Sequence, residues 1–276
     1  MKKLILVIIA LSTSIWVSAQ NYRTEFENTS SNKIDIMACS HDVTIIGHDK
    51  NEIIIETNYK GDGKPQPQPP KPTKEPSERA KGLQPLTSSG SDNTGIGLSV
   101  DKSGSRFSVV GILNEATEAK YTFRIPNKAK LTINEMKPSS KSAYQITGMI
   151  GEMNLNALNS NFNIKDATGP VVASNINGGI EITFTRLNGD KPSSLTSVNG
   201  FVDITLPVNS KADVQISAVN GEAFTDFDIK PTNTHSEGMP VIPNFSVFNL
   251  EGKINGGGTP LTISTVNGDV FIRKGK

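Results

Sequence analysis

The chain holds few of the residues on which disulfide frameworks, zinc sites and sugar-stacking clefts depend. Its 276 residues include one cysteine, Cys39, one tryptophan, Trp16, and three histidines. A lone cysteine excludes an intrachain disulfide framework and leaves too few thiolates for a zinc site. The single tryptophan lies near the N-terminus, in a segment that we expect to be removed, which weakens the case for a carbohydrate-processing cleft.

Strong net charge and a second long apolar run are also missing. The chain has 28 Lys and Arg against 27 Asp and Glu, without a basic block. This balance gives no electrostatic reason to expect a nucleic acid or an anionic membrane as partner. No apolar run of membrane length follows the first twenty residues, so we expect no integral membrane span and a soluble mature chain.

The N-terminus has the three parts of a secretory signal peptide. Lys2 and Lys3 are followed by an apolar run over residues 4–11, and then by the small residues of Val17-Ser18-Ala19. This order predicts a signal peptide over residues 1–19, cleaved after Ala19, rather than a buried strand or an anchor. We therefore expect an exported protein, located in the periplasm or at the outer cell surface, or released outside the cell.

Short alternating runs of apolar and polar residues dominate the rest of the chain, and helical spacing is scarce. Such runs, punctuated by Asn-Gly, predict an all-β chain. The clearest runs are Val43-Thr44-Ile45, Tyr121-Thr122-Phe123-Arg124-Ile125, Ile180-Glu181-Ile182, Val202-Asp203-Ile204 and Val270-Phe271-Ile272.

Residues 61–93 differ in composition, since they hold seven of the 16 prolines. They lack the apolar side chains that would offset the entropy of ordering, so we interpret them as a flexible loop or linker. This interpretation divides the mature chain into an N-terminal β segment over 20–60, the Pro-rich segment, and a β-solenoid domain over 94–276.

An Asn-Gly pair recurs four times, each time after a branched apolar residue and before another apolar position. Successive glycines are separated by 22, 21 and 47 residues. The last separation equals two such steps plus about five residues, and we place those extra residues in the loop 231–243. The pairs are Asn177-Gly178, Asn199-Gly200, Asn220-Gly221 and Asn267-Gly268.

A constant step predicts a right-handed parallel β-helix, or β-solenoid, with coils of about 21 residues, each stacked on the one before at about 4.8 Å. Asn-Gly would form the corner of each coil, because both residues tolerate the positive φ of a sharp bend. The alternative is an antiparallel β-sandwich in which each Asn-Gly is a type I′ hairpin turn.

Near the C-terminus, Ile254-Asn255-Gly256-Gly257-Gly258 is followed by Leu261-Thr262-Ile263-Ser264-Thr265-Val266-Asn267-Gly268-Asp269-Val270. This arrangement resembles the bacterial putative-adhesin family of envelope proteins, which is akin to the GIN-domain heads of putative autotransporter adhesins. The likeness covers residues 95–276, and more loosely 34–57. It implies a parallel β-helix-like fold at the bacterial envelope and an adhesive role, but it supplies no binding residues. The Pro-rich insertion departs from the family's compact pattern and leaves the register of the first coils open.

Histidines offer one candidate metal or catalytic cluster. His41-Asp42 and His48-Asp49 lie seven residues apart, on opposite faces if Val43 to Gly47 is a strand. We interpret them as solvated turn residues rather than ligands. His235 falls in the loop 231–243 and belongs to no nucleophile motif.

Acidic pairs and glycine runs give no stronger chemical signal. Asp226 and Asp228 could share one face of a strand, as paired carboxylates require, but an exposed polar stretch explains them better. Glu115 and Glu118 fit a solvated turn, and Gly256 to Gly258 lacks the Lys-Ser/Thr ending of a phosphate loop. Of the Asp residues that a β-roll calcium repeat needs, only Asp269 is in place. The sequence thus assigns no catalytic, cofactor-binding or metal-binding residue.

These observations favour a non-catalytic, exported envelope protein that contacts an unidentified macromolecule or glycan along one face. Outward polar residues such as Glu181 and Asp203 would line that face. One alternative is a polysaccharide lyase or hydrolase on a β-helix, and another is a periplasmic scaffold in envelope-stress signalling.

Overall fold

A computed structural model describes residues 20–60, 91–114, 116–189, 191–233 and 248–275. The predicted signal peptide lies outside these ranges, as does nearly all of the Pro-rich segment. All regular elements within the ranges are β-strands, which confirms the all-β prediction. Among these residues no helix is long and apolar enough to cross a membrane.

The described residues form 21 strands. The first ten are β1 (Gln20–Glu25), β2 (Lys33–Met37), β3 (Asp42–His48), β4 (Glu52–Thr57), β5 (Leu98–Ser103), β6 (Arg106–Gly111), β7 (Lys120–Pro126), β8 (Lys130–Glu135), β9 (Ala143–Thr147) and β10 (Met153–Ala157). The others are β11 (Asn161–Ala167), β12 (Val171–Asn177), β13 (Ile180–Phe184), β14 (Ser193–Asn199), β15 (Val202–Leu206), β16 (Ala212–Ala218), β17 (Ala223–Thr225), β18 (Lys230–Asn233), β19 (Phe248–Ile254), β20 (Thr259–Asn267) and β21 (Val270–Lys274).

The strands make two large sheets. Sheet I has ten strands in the order β1-β4-β7-β3-β9-β11-β13-β15-β21-β17. Sheet II has eleven, in the order β18-β19-β16-β20-β14-β12-β10-β8-β2-β6-β5. Neighbours in the middle of both sheets are parallel, and antiparallel pairs occur only toward the ends.

Consecutive strands alternate between the sheets from β8 to β15. Each Asn-Gly turn joins a strand of sheet II to a strand of sheet I, as in β12 to β13 and β14 to β15. The two strands on either side of such a turn pair with strands of other turns and not with each other. We call a strand of sheet II, its turn and the next strand of sheet I a two-strand unit.

Chain order and spatial order differ at both ends. Unit β2–β3 lies between units β6–β7 and β8–β9, and unit β20–β21 lies between β14–β15 and β16–β17. The expectation that each repeat stacks on the one before it therefore holds from β8 to β15. It is wrong for unit β8–β9, which does not lie on β6–β7, and for unit β16–β17, which does not lie on β14–β15. The cause is insertion: a later strand of sheet II, β20, fills the position between β14 and β16.

The core lies between the sheets, because alternate residues of each strand point toward the other sheet. In β15, for example, Val202, Ile204 and Leu206 are buried, whereas Asp203 and Thr205 are partly exposed. Inward residues of both sheets belong to one hydrophobic cluster, from Phe26 to Ile272. The outer faces are thus the surfaces left for contact with other molecules.

Three of the four Asn-Gly turns need glycine for close approach rather than for positive φ. A Cβ on Gly200 would collide with the carbonyl oxygen of Gly178 in the neighbouring unit. A Cβ on Gly268 would collide with the carbonyl oxygen of Gly200 in the same way, and a Cβ on Gly221 would collide with the carbonyl oxygen of Gly268. None of Gly200, Gly221 and Gly268 has a positive φ, so the sequence interpretation is wrong at these three corners, whereas Gly178 has a φ of 155°.

The asparagines of the same turns form a ladder of side-chain hydrogen bonds. Asn199 Nδ2 donates to Asn177 Oδ1 at 2.8 Å, and Asn267 Nδ2 donates to Asn199 Oδ1 at 2.7 Å. In the same direction, Asn177 Nδ2 donates to Asn159 Oδ1 at 2.6 Å, and Asn220 Nδ2 donates to Asn267 Oδ1 at 2.9 Å. Each turn is thereby held in register with the next.

Candidate functional site

The outer face of sheet I carries a cluster of aromatic and acidic side chains near β17. Strand register places Glu181, Asp203, Phe271 and Phe224 side by side across β13, β15, β21 and β17. We call the cluster the phenylalanine face and define it by three phenylalanines, Phe201, Phe224 and Phe271, five carboxylates, Glu181, Asp203, Glu222, Asp226 and Asp269, and one cation, Arg273. In β13, β15 and β21, alternation directs Glu181, Asp203, Phe271 and Arg273 outward, since the residues between them are buried.

The phenylalanines are held in place by neighbouring units. The rings of Phe224 and Phe271 stack with centroids 5.4 Å apart and an interplanar angle of 12°. Phe201 lies against Gly179, where a Cβ would collide with its ring. Phe201 and Phe224 nevertheless remain 42% and 47% exposed, so much of their apolar surface contacts solvent.

Arg273 shows how this face holds a cation. Its Nε and Nη2 donate to the two carboxylate oxygens of Asp203 at 2.9–3.0 Å, which is a bidentate pair. The centre of the guanidinium also lies 5.2 Å from the centroid of the Phe271 ring. The hydrogen bond with Asp203 raises the pKa of Arg273 above its ordinary value, and the charges of Asp226 and Glu181 add to the effect.

Three of the other carboxylates of the face accept hydrogen bonds from uncharged donors. Asp269 Oδ1 accepts from the backbone N–H of Glu222 at 3.0 Å, and Asp226 Oδ1 accepts from that of Lys274 at 2.8 Å. Glu181 Oε2 accepts from Asn163 Nδ2 at 3.0 Å. Among the described residues, Arg273–Asp203 is the ion pair that this face contains, so the face has a surplus of negative charge.

The two candidate histidines of the N-terminal segment lie at opposite ends of β3. His41 is buried, with Nδ1 2.6 Å from the carbonyl oxygen of Cys39 and Nε2 2.8 Å from that of Thr117. His48 Nδ1 accepts from the backbone N–H of Lys50 at 3.1 Å. The structure does not bring the two rings together, and His41 is a buried anchor of a loop rather than a solvated turn residue.

Other candidate residues are dispersed or lie outside the described ranges. Asp226 and Asp228 are exposed on either side of buried Phe227, and Glu118 is exposed before β7. Glu115 and His235 fall outside the description. Within it, no three His, Cys, Asp or Glu side chains are grouped as metal ligands would be.

The remaining sequence candidates have structural explanations. Gly256 and Gly257 have φ of 89° and 90°, and they turn the chain between β19 and β20. Cys39 is buried, and burial raises the pKa of its thiol to about 12, with Glu135 adding to the effect. A thiol in this setting is unreactive.

Sequence reasoning named Glu181 and Asp203 as outward positions but missed the phenylalanines and Arg273. A signal for them existed, because aligning the repeats at Asn-Gly puts Asp203 and Phe271 in one column. The pairing of Arg273 with Asp203 could not be derived that way, since it depends on the insertion of β20–β21 between β14–β15 and β16–β17.

Comparison with solved structures yields neighbours at low sequence identity. No family model and no curated protein matched the chain. A putative cell adhesion protein from Clostridium sporogenes ATCC 15579 matches 93% of this chain and 100% of its own, with a TM-score of 0.41 and 10% identity. A putative adhesin from Bacteroides fragilis NCTC 9343 matches 93% of this chain and 96% of its own, with a TM-score of 0.40 and 13% identity. At these values neither neighbour identifies the function of this chain.

Proposed function

We propose that the protein is a non-catalytic contact module of the bacterial cell envelope, which binds a macromolecule or glycan along the outer face of sheet I. The observation that carries the proposal is the phenylalanine face, where aromatic rings and carboxylates of four neighbouring strands are aligned and are fully or partly exposed. Contact would be distributed over many weak interactions, since no single residue of the face dominates it. This role is that of the adhesin family that the C-terminal segment resembles.

The architecture that we propose for this role is a right-handed parallel β-solenoid with coils of about 21 residues. Each two-strand unit would be one coil. The offset supports this proposal, because Ile180 pairs with Val202 and Val172 with Ser194, 22 residues further along the chain in both sheets. The right-handed sense follows the general preference of parallel crossover connections.

An exported location is part of the proposal and is based on the predicted signal peptide over residues 1–19. Fractionation of cells that produce the full chain tests it. We expect the processed protein in the periplasm, at the cell surface or in the medium. Retention of the unprocessed chain in the cytosol would contradict an envelope role.

Binding is tested with the purified mature chain on arrays of glycans and envelope proteins. We expect saturable binding that is reduced by Phe201→Ala with Phe224→Ala and retained by Val172→Ala, an equally exposed apolar residue on the outer face of sheet II. Absence of any saturable binding would overturn the contact function. Cleavage of a polysaccharide that Asp226→Ala abolishes would replace it with the lyase or hydrolase alternative.

A further inference from the structure

We propose that the phenylalanine face binds an extended polypeptide segment that bears arginine side chains. This inference rests on the proposed contact function and names the class of partner. It follows from the exposed rings, the surplus of carboxylates and the way in which the face already holds Arg273.

The exposed rings give the face its apolar component. Phe201 and Phe224 each expose more than two fifths of their surface, and Phe224 stacks on Phe271 to make a continuous aromatic strip. A partner that covers these rings removes apolar area from water at about 25 cal/mol per Å². Guanidinium groups suit such a strip, because they stack on aromatic faces and are weakly hydrated.

The charge of the face selects a cationic partner. Five carboxylates share it with one guanidinium, and four of the five have no ion pair among the described residues. Glu222 and Asp226 lie two positions before and after Phe224, directly outside the two ends of β17. A neutral glycan would leave this negative charge uncompensated, whereas an arginine side chain would neutralise it.

Arg273 provides an internal precedent for the mode of binding. Its guanidinium makes a bidentate pair with Asp203 and at the same time lies over Phe271. Phe224 with Glu222 and Asp226 offers the same combination of ring and carboxylate to a second guanidinium. A foreign arginine there would repeat the geometry one strand further along the sheet.

The test measures binding of the peptide (Arg-Ser)4 to the purified mature chain by calorimetry at 50 mM and 500 mM salt. The same peptide with citrulline in place of arginine keeps the shape and loses the charge. We expect binding of the arginine peptide that weakens at high salt, and none of the citrulline peptide. Phe224→Ala should weaken binding about threefold, and Glu181→Gln with Glu222→Gln about fivefold.

Two matched controls separate this face from general surface effects. Asp101→Asn removes an exposed carboxylate from β5 of sheet II, and Val172→Ala removes an exposed apolar side chain from the same sheet. Both should leave peptide affinity unchanged. All substituted side chains are exposed, and thermal melting of each variant verifies that the fold is retained.

Each other outcome overturns the inference. If the arginine peptide does not bind, or binds equally well to the face variants, the face has no arginine site. If an array glycan binds and Phe224→Ala abolishes that binding while the peptide does not compete, the face is a glycan site and the contact function survives. If neither peptide nor any array ligand binds, the proposed function itself fails.

Discussion

At the scale of single residues, the Asn-Gly pair combines two separate requirements of parallel stacking. Asparagine supplies both a donor and an acceptor, so one residue type can bond identical copies of itself above and below, as Asn199 does with Asn177 and Asn267. Glycine lets the carbonyl group of the neighbouring turn occupy the place of a side chain. The dipeptide that is typical of hairpin turns here serves stacked corners instead.

The glycine requirement predicts that Gly200→Ala destabilises the fold. The new methyl group would collide with the carbonyl oxygen of Gly178, and the backbone of one unit would have to shift. Overpacking of this kind costs about 1–3 kcal/mol. We therefore expect a lower free energy of unfolding in urea, measured by circular dichroism.

Gly189→Ala is the matched control, because a Cβ at Gly189 meets no atom within 4 Å and its φ is not positive. We expect that variant to be as stable as the wild type or slightly more stable. Equal stability of Gly200→Ala and Gly189→Ala would show that the neighbouring carbonyl does not restrict the corner.

At the scale of elements, ion pairs reinforce the parallel ladders of sheet II from outside. Glu152, just before β10, lies between Lys130 of β8 and Lys191 near the start of β14, with Nζ–Oε2 distances of 3.4 and 2.9 Å. The hydrogen bond from Lys191 lowers the pKa of Glu152 below its ordinary value of 4.5, and Lys130 adds to the effect. One carboxylate thus links the beginnings of several neighbouring strands.

This arrangement predicts a pH-dependent effect of Glu152→Gln. A carboxylate whose pKa is lowered on folding stabilises the fold above the pKa of the unfolded chain and loses that contribution as pH falls through the folded value. The carboxylate is partly exposed, so the expected loss at pH 7 is only about 0.5–1 kcal/mol. We would measure urea unfolding from pH 7 down to pH 3. The difference in the free energy of unfolding between wild type and variant should become smaller below pH 4.5.

Glu118→Gln serves as the comparison, since Glu118 is exposed before β7 and makes none of the described ion pairs. We expect the free energy of unfolding of that variant to equal that of the wild type at every pH. A gap for Glu152→Gln that stayed constant down to pH 3 would mean that its cause is packing rather than charge.

The elements themselves were the most predictable level of this molecule. The alternating runs around Val43, Tyr121, Ile180, Val202 and Val270 all lie in strands, because a strand with one buried face has to alternate. The Asn-Gly spacing likewise predicted the offset of 22 residues between Ile180 and Val202. Local sequence carries this information in full.

The candidate site was less predictable, because it depends on which units are neighbours. Outward positions such as Glu181 and Asp203 follow from alternation within one strand. The pairing of Arg273 with Asp203 joins residues 70 positions apart and requires unit β20–β21 to be inserted between β14–β15 and β16–β17. Each unit presents a similar apolar pattern to its neighbours, so the pattern does not state their order.

At the scale of the whole molecule, the inserted units are the main departure from a simple winding of the chain. Asn267 of unit β20–β21 lies opposite Asn199, although Asn220 comes between them in the sequence. Because of the insertion, β16, β19 and β18 lie beyond β20 at one end of sheet II, and the short strand β17 is the edge strand of sheet I. The edge strand that carries Phe224 therefore owes its position to this order.

Cysteine cross-linking tests the order directly. In a Cys39→Ala background, Asn199→Cys with Asn267→Cys places two thiols on adjacent parallel strands about 4.8 Å apart, within the range of a disulfide. Asn199→Cys with Asn220→Cys removes the same number of ladder residues but separates the thiols by two strand spacings, about 10 Å. Mild oxidation followed by non-reducing electrophoresis should give a disulfide in the first variant and free thiols in the second. Stacking in chain order would give the reverse result, because Asn199 and Asn220 would then be neighbours, and Arg273 would be separated from Asp203.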